Sequence, residues 1–82
     1  MDLVLLTETI VKKIVSDPET VSVKEFESDE EDLVQIEVMI SNEDLGKVIG
    51  KDGRIINAIR TIVQASSYIN NNKKIKINVD SY

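Results

Sequence analysis

The chain has 82 residues, 41% of them hydrophobic, and contains neither cysteine nor histidine. That is the size of one domain with a thin core; it excludes disulfides, thiolate metal sites and thiol nucleophiles, and it removes the commonest general base. The net charge of −5 is unevenly spread: residues 1–43 carry 12 acids against 3 bases, and residues 44–82 carry 3 acids against 7 bases, so one surface can attract phosphate while the other repels it.

The start, Met1 to Leu6, is acidic and then briefly apolar. A secretory signal needs a basic start and a longer apolar run, and no stretch approaches a membrane span, so a cytoplasmic protein is expected. Asp2 is placed to cap a helix whose apolar residues fall at Leu3, Leu6, Ile10 and Ile14, with Val4, Val11 and Val15 beside them. Pro18 stops it, because the residue before a proline is pushed out of the helical region. Val21 and Val23 then alternate with polar residues, but Phe26 falls out of phase, which predicts a short strand that is bulged or frayed.

Ser28 to Asp32 is an acidic turn. Consecutive carboxylates at a solvated tip are not a catalytic cluster, and no metal site is expected there. Val34, Ile36, Val38 and Ile40 alternate with Gln35, Glu37 and Met39 as the clearest strand, forming a hairpin with the one before. Ser41 and Asn42 begin a short helix, with Asp44 three residues after Ser41 as in a capping box. Leu45, Val48 and Ile49 share its apolar face. Gly50-Lys51-Asp52-Gly53 interrupts it, and a second helix follows with Ile55, Ile56, Ile59, Ile62 and Val63 at helical spacing. Ile55 and Ile59 read as core; Ile49 and Ile56 read equally as core or as contact surface. Asn70 to Asn72 predicts a turn, and Ile75, Ile77 and Val79 a last strand. Lys73, Lys74 and Lys76 there extend a basic surface or blunt a strand edge. Phe26 and Tyr68 could stack on bases, but core or edge roles are expected of them. The order α-β-β-α-α-β predicts an α+β fold, three helices packed on one face of a three-stranded mixed sheet.

The segment with functional content is Gly50 to Gly53. Glycines accept backbone angles closed to other residues and let another backbone come close. The helix that follows offers unpaired N–H groups and the positive end of its dipole, and Lys51 and Arg54 add charge, so the loop is a seat for phosphate. A glycine pair three apart is also what a plain helix–helix connector would show. There is no G-x-x-x-x-G-K-[ST] and no G-x-G-x-x-G after a strand, which sets aside the two commoner phosphate motifs.

The string Val48-Ile49-Gly50-Lys51-Asp52-Gly53-Arg54-Ile55-Ile56 resembles the V-I-G-x-x-G-x-x-I motif of KH domains, and the element order resembles their type II arrangement. The length, with the runs Gly46 to Lys51 and Ala58 to Thr61, is similar to the small bacterial KhpA family. That resemblance implies one KH domain over residues 1–82. It also implies a non-catalytic single-stranded RNA-binding protein, an RNA chaperone or post-transcriptional regulator, with no cofactor, metal or small-molecule substrate. In KH domains the G-x-x-G loop clamps the backbone of about four unpaired nucleotides, and the bases lie in a groove beside the following helix. Carried onto this chain, Gly50, Lys51, Asp52 and Gly53 would touch the sugar–phosphate backbone. Ile49 and Ile56 would floor the groove, and Lys47 and Arg54 would charge its rim. Asp52 departs from a purely basic loop and leaves it net positive by one, which implies loose, sequence-tolerant binding. The resemblance also implies a homodimer, or a heterodimer with a KhpB-type RNA-binding protein. The alternative is a protein-interaction module that keeps the KH fold and acts mainly through such a partner, for which the acidic first half speaks. An enzyme would need a nucleophile or base from Ser, Thr, Lys or a carboxylate, and no paired arrangement is visible.

Overall fold

The computed structural model describes residues 2–70 and 72–82. Helix α1 spans Leu3–Ile14; the Asp2 carboxylate accepts hydrogen bonds from the Val4 and Leu5 N–H groups, at 3.0 and 3.1 Å, and so caps it as expected. Lys12 and Lys13 sit in its last turn, where the dipole favours cations. A short 3-10 turn at Pro18–Thr20 leads into strand β1, Ser22–Phe26. Strand β2 spans Leu33–Ile40, a turn at Asn42–Asp44 opens helix α2, Leu45–Ile49, and the tight turn Lys51–Gly53 opens helix α3, Arg54–Asn70. Strand β3, Lys74–Ser81, ends the order α-β-β-α-α-β. The expected Asn70–Asn72 turn falls partly on Asn71, which lies outside the described residues.

The sheet order is β1-β2-β3: β1 runs antiparallel to β2, with Val23 opposite Val38, and β3 runs parallel to β2, with Ile36 opposite Ile77. The parallel pairing follows from the connection, because only a crossover through α2 and α3 returns the chain in the same direction. The helices cover one face. On it Val34, Ile36, Val38 and Ile40 of β2 and Ile77 of β3 meet Leu3 and Val11 of α1, Val48 of α2, and Ile56, Ile59 and Val63 of α3. This is the α+β, type II KH arrangement expected from the sequence.

Three local readings need correction. Strand β1 is neither bulged nor frayed: its ladder is regular from Ser22 to Phe26, and Phe26 breaks the alternation because it points to the opposite, open face of the sheet. Ser41 and Asp44 do not form a capping box: the Ser41 hydroxyl donates to the Asp44 carboxylate instead of accepting from a helix N–H, and that carboxylate accepts from the end of α1. Ile55 is not core; at 40% exposure it lies, with Ile62 at 49%, on a second apolar stripe of α3.

The free edge of β3 is not left open. Three polar side chains of α3 bond backbone groups at its start, from Lys73 to Ile77. The Arg60 guanidinium donates to the Ile77 carbonyl from Nη2 at 2.9 Å and from Nε at 3.3 Å. The Gln64 amide donates to the Lys73 carbonyl and accepts from the Ile75 N–H, both at 2.9 Å. The buried Ser67 hydroxyl adds a second donor to the Lys73 carbonyl at 2.6 Å.

Candidate nucleic-acid interface

The loop at residues 50–53 projects from the junction of α2 and α3 with an unusual backbone. Gly50 has φ 75° and ψ 174°, Asp52 has φ 57° and ψ 25°, and Gly53 has φ 74°. Only glycine tolerates the first of these, whereas Asp52 occupies a left-handed conformation that aspartate adopts more readily than most residues. Gly50 has its N–H on the Gly46 carbonyl at 2.8 Å and accepts from the Gly53 N–H at 3.2 Å, so the turn is closed at both ends. With no Cβ at either flank, the inner side chains Lys51 and Asp52 stand exposed at the tip, and Arg54 stands exposed beside them at the first residue of α3.

The other expected site residues are placed differently from one another. Ile56 is 5% exposed and belongs to the core directly below the loop, and Ile49 is half-buried against it. Neither is free surface, and neither lines the groove that α3 forms with β3. Lys47 has an exposed stem, but its ammonium is engaged: it donates to the Ser16 hydroxyl and lies 3.6 Å from Asp44. The charge at the loop therefore comes from Lys51 and Arg54 against Asp52.

Asp44 is a residue whose role the sequence hid. It is 1% exposed and accepts from the Ser16 N–H at 3.0 Å, the Asp17 N–H at 3.3 Å and the Ser41 hydroxyl at 3.1 Å. It thereby ties the end of α1 to the base of α2, just below the loop. The Ser16 N–H is the main cause that lowers its carboxyl from 3.8 to about 2; burial opposes this, and the Ser41 hydroxyl and Asp17 N–H assist. The unfolded chain holds the Asp44 proton more tightly than the folded one. The tether's contribution is thus complete above pH 3.8 and is lost as pH falls from there through about 2. We expect Asp44→Asn to lower the urea midpoint at neutral pH, with the gap to wild type closing across that acid window. A gap that is constant with pH would show that the charge of Asp44 contributes nothing.

Helix α3 carries three faces, each roughly a third of a turn from the next at 3.6 residues per turn. The first is the core face, Ile56, Ile59, Val63 and Ser67. The second, with Arg60, Thr61, Gln64, Ala65 and Tyr68, forms with Ile75 of β3 a groove of about 440 Å³. Of these residues the sequence had suggested only Tyr68 as a possible base contact; the groove exists because α3 lies along the β3 edge, a long-range arrangement with no local signal. The third face is exposed: Ile55, Ala58, Ile62, Ala65 and Ile69 recur at alternating spacings of three and four. Among the described residues, no group of three His, Cys, Asp or Glu is placed to hold a metal ion, and no helix is long and apolar enough to cross a membrane.

A glycine-framed loop between two helices, on a β-β-α-α-β core with a leading helix, defines the KH class of fold. Solved structures agree. The chain superposes on Era of Aquifex aeolicus, in a variant form bound to GDP.AlF4-, with a TM-score of 0.70, at 15% identity, over 96% of its own length and 29% of that chain. An Era structure in complex with MgGDPNP and a 16S ribosomal RNA segment gives 0.68 at 16% identity, again over 29% of the larger chain. These likenesses concern the fold. Sequence narrows the assignment further: the family model for the KH domain of KhpA/KhpB matches residues 5–80, and the chain belongs to that family. It is 46% identical to the RNA-binding protein KhpA of Clostridium perfringens over 74 residues, which are 90% of this chain and 95% of that one. It is 42% identical to the RNA-binding protein KhpA of Thermotoga maritima over 74 residues, 90% and 93% of the two chains.

Proposed function

We propose that residues 1–82 act as one KH domain, a non-catalytic, cytoplasmic single-stranded RNA-binding protein that serves as an RNA chaperone or post-transcriptional regulator. The single observation that carries this reading is the Gly50–Gly53 loop. Its positive φ angles and missing side chains let a sugar–phosphate backbone approach, with Lys51 and Arg54 at hand. The names of the KhpA relatives support RNA as the ligand. In this reading the backbone of the strand crosses the loop, and its bases enter the groove between α3 and β3. There Tyr68 offers an aromatic face, and Arg60 has guanidinium N–H groups left beyond those it spends on Ile77 and Asn57.

The test is fluorescence anisotropy of a short unstructured RNA across a salt series. Two or three neutralised phosphates predict a log–log slope of roughly −1.5 to −2 on a single strand. A protein that binds no RNA at low salt would overturn the reading.

One loop and one groove hold few nucleotides, so useful affinity calls for a second site, which self-pairing supplies. The third face of α3 supports a second copy of this chain, or a KhpB-type partner with a similar helix. Ile55, Ala58, Ile62, Ala65 and Ile69 repeat like the a and d positions of a coiled coil, with alanines allowing close approach. Replacing Ile62, in the middle of that seam, with Glu is expected to convert a dimer to a monomer in sedimentation while leaving the melting temperature of the monomer fold intact. Sedimentation unchanged by Ile62→Glu would place pairing elsewhere.

A further inference from the structure

The face of the sheet opposite the helices is bare. It presents Ser22, Lys24 and Phe26 from β1 and, across the ladder, Gln35, Glu37 and Met39 from β2. Phe26 is 48% exposed. The Tyr82 hydroxyl donates to the Thr20 carbonyl at 2.8 Å, which lays its ring across the same face; with Phe26, Met39 and Lys24 it borders a hollow of about 300 Å³. Leaving a phenylalanine ring in water forgoes the stabilisation that burial would give.

We propose that this open face is a second contact surface for single-stranded RNA, on which a base stacks against Phe26 while Lys24, Lys74 and Lys76 meet the neighbouring phosphates. The proposal rests on the reading of the loop and groove as an RNA site and extends that site round the β3 edge. Three observations carry it. First, the charge fits. Phe26, Gln35 and Lys76 form one row across the sheet, Lys24 is two residues from Phe26 on the same strand and face, and Lys74 pairs with Leu33 in the next row. Among the described residues none of these lysines has a carboxylate within 4.0 Å; the ion pairs are Glu8–Lys12 and Asp44–Lys47. Second, the path is continuous. Tyr68, at the end of the groove, also borders a hollow of about 400 Å³ shared with Leu33 and Lys74, which leads round the start of β3. Glu30 and Asp32 also line that hollow, the Asp32 carbonyl accepting from the Lys74 N–H at 2.8 Å, so a phosphate there would be drawn to the Lys74 ammonium and away from the two carboxylates. Glu37 faces the platform, and Asp80 lies at its far end, its carboxylate held by the Ser81 N–H at 2.8 Å. Third, the apolar area is small. Phe26, Met39 and Tyr82 amid charges fall short of the core of a stable protein interface, which buries about 800 Å² per partner, whereas a stacked base needs one ring.

The experiment compares two unstructured RNAs of one sequence, about four and about eight nucleotides long, the shorter filling only the loop and groove. Wild-type protein should bind the longer RNA more tightly. Phe26→Ala should weaken the longer RNA about tenfold and leave the shorter unchanged, as expected for loss of one stacked base. Phe26→Tyr should restore it, and Lys76→Glu should reproduce the loss with the ring intact. Equal effects on both lengths, or none, overturn the proposal. A Phe26→Ala protein that changes its sedimentation but not its RNA binding also overturns it, and marks the face as a protein contact. Wild type that binds neither RNA overturns the loop reading and this one with it.

Discussion

Replacing Lys51 with aspartate is expected to abolish measurable RNA binding at physiological salt while leaving the fold untouched. Lys51 stands exposed at the tip of the loop, and its side chain makes no hydrogen bond or ion pair within the described residues. Its removal therefore costs the fold less than about 0.5 kcal/mol, the usual scale for such surface changes. The effect on RNA is of another order. With Asp52 beside it, the substitution turns the charge of the loop with Arg54 from +1 to −1 and puts two carboxylates where phosphate should sit. Loss of one phosphate contact with added repulsion predicts at least about a tenfold weaker affinity and a shallower salt slope. Anisotropy titration of wild type and Lys51→Asp, with melting curves to confirm equal stability, decides the matter. Unchanged binding by the folded variant would remove the loop from the site.

The largest expected effect on stability comes from Gly50→Ala. A Cβ at Gly50 would lie 2.3 Å from Cγ1 of Ile55, 2.9 Å from its Cβ and 3.0 Å from its backbone nitrogen. The first contact is with a side chain that can turn; the last is with backbone at the start of α3 and cannot be relieved without moving the helix. The φ of 75° with ψ of 174° adds strain of about 1–3 kcal/mol for any residue with a side chain. Together these predict a loss of about 3 kcal/mol or more, against a total stability of about 5–10 kcal/mol for a chain this small. The melting midpoint should fall by more than about 10 °C. Gly53 is the internal control. Its added Cβ would meet Asn57 at 3.8 Å and Ile56 at 3.9 Å, ordinary contacts, so Gly53→Ala carries only the positive-φ penalty of about 1–2 kcal/mol. Equal midpoints for the two variants would mean that the loop does not have this geometry.

The parts of this molecule that were legible in the sequence are those governed by local spacing. Strand β2 declared itself because every second residue from Val34 to Ile40 is apolar and one face of the sheet is buried. Helix α1 was bounded by Asp2 and Pro18, whose effects act within a turn. The loop was visible because glycine spacing and flanking charge are properties of adjacent residues. What could not be read were relations between distant segments. Asp44 looked like part of a cap because Ser41 is three residues away, and its true partners at Ser16 and Asp17 are about thirty residues back. Ile62 has the same spacing to Ile59 and Ile55 as a core residue would; only the position of the sheet decides which of the apolar stripes of α3 is covered. Phe26 looked like a fault in a strand because alternation assumes that one face is polar. The α3–β3 groove, with Gln64 and Ile75 in its walls, has no signature in either segment alone.

The parallel pairing of β2 with β3 has a consequence for how the molecule is made. Every rung of that ladder joins residues 41 positions apart, as Leu33 joins Lys74, and the whole loop and groove are strung between them. A ribosome that has released α2 and α3 has delivered both glycines but not the strand against which α3 is held, so the nascent chain carries the motif without the cleft. Closing so long a span must be met entropically before any contact of the ladder repays it, which places the parallel pairing late in folding. In the proposed reading, RNA affinity is expected to appear only once β3 is in place, and a chain truncated before β3 is expected to lack the groove wall that Ile75 supplies.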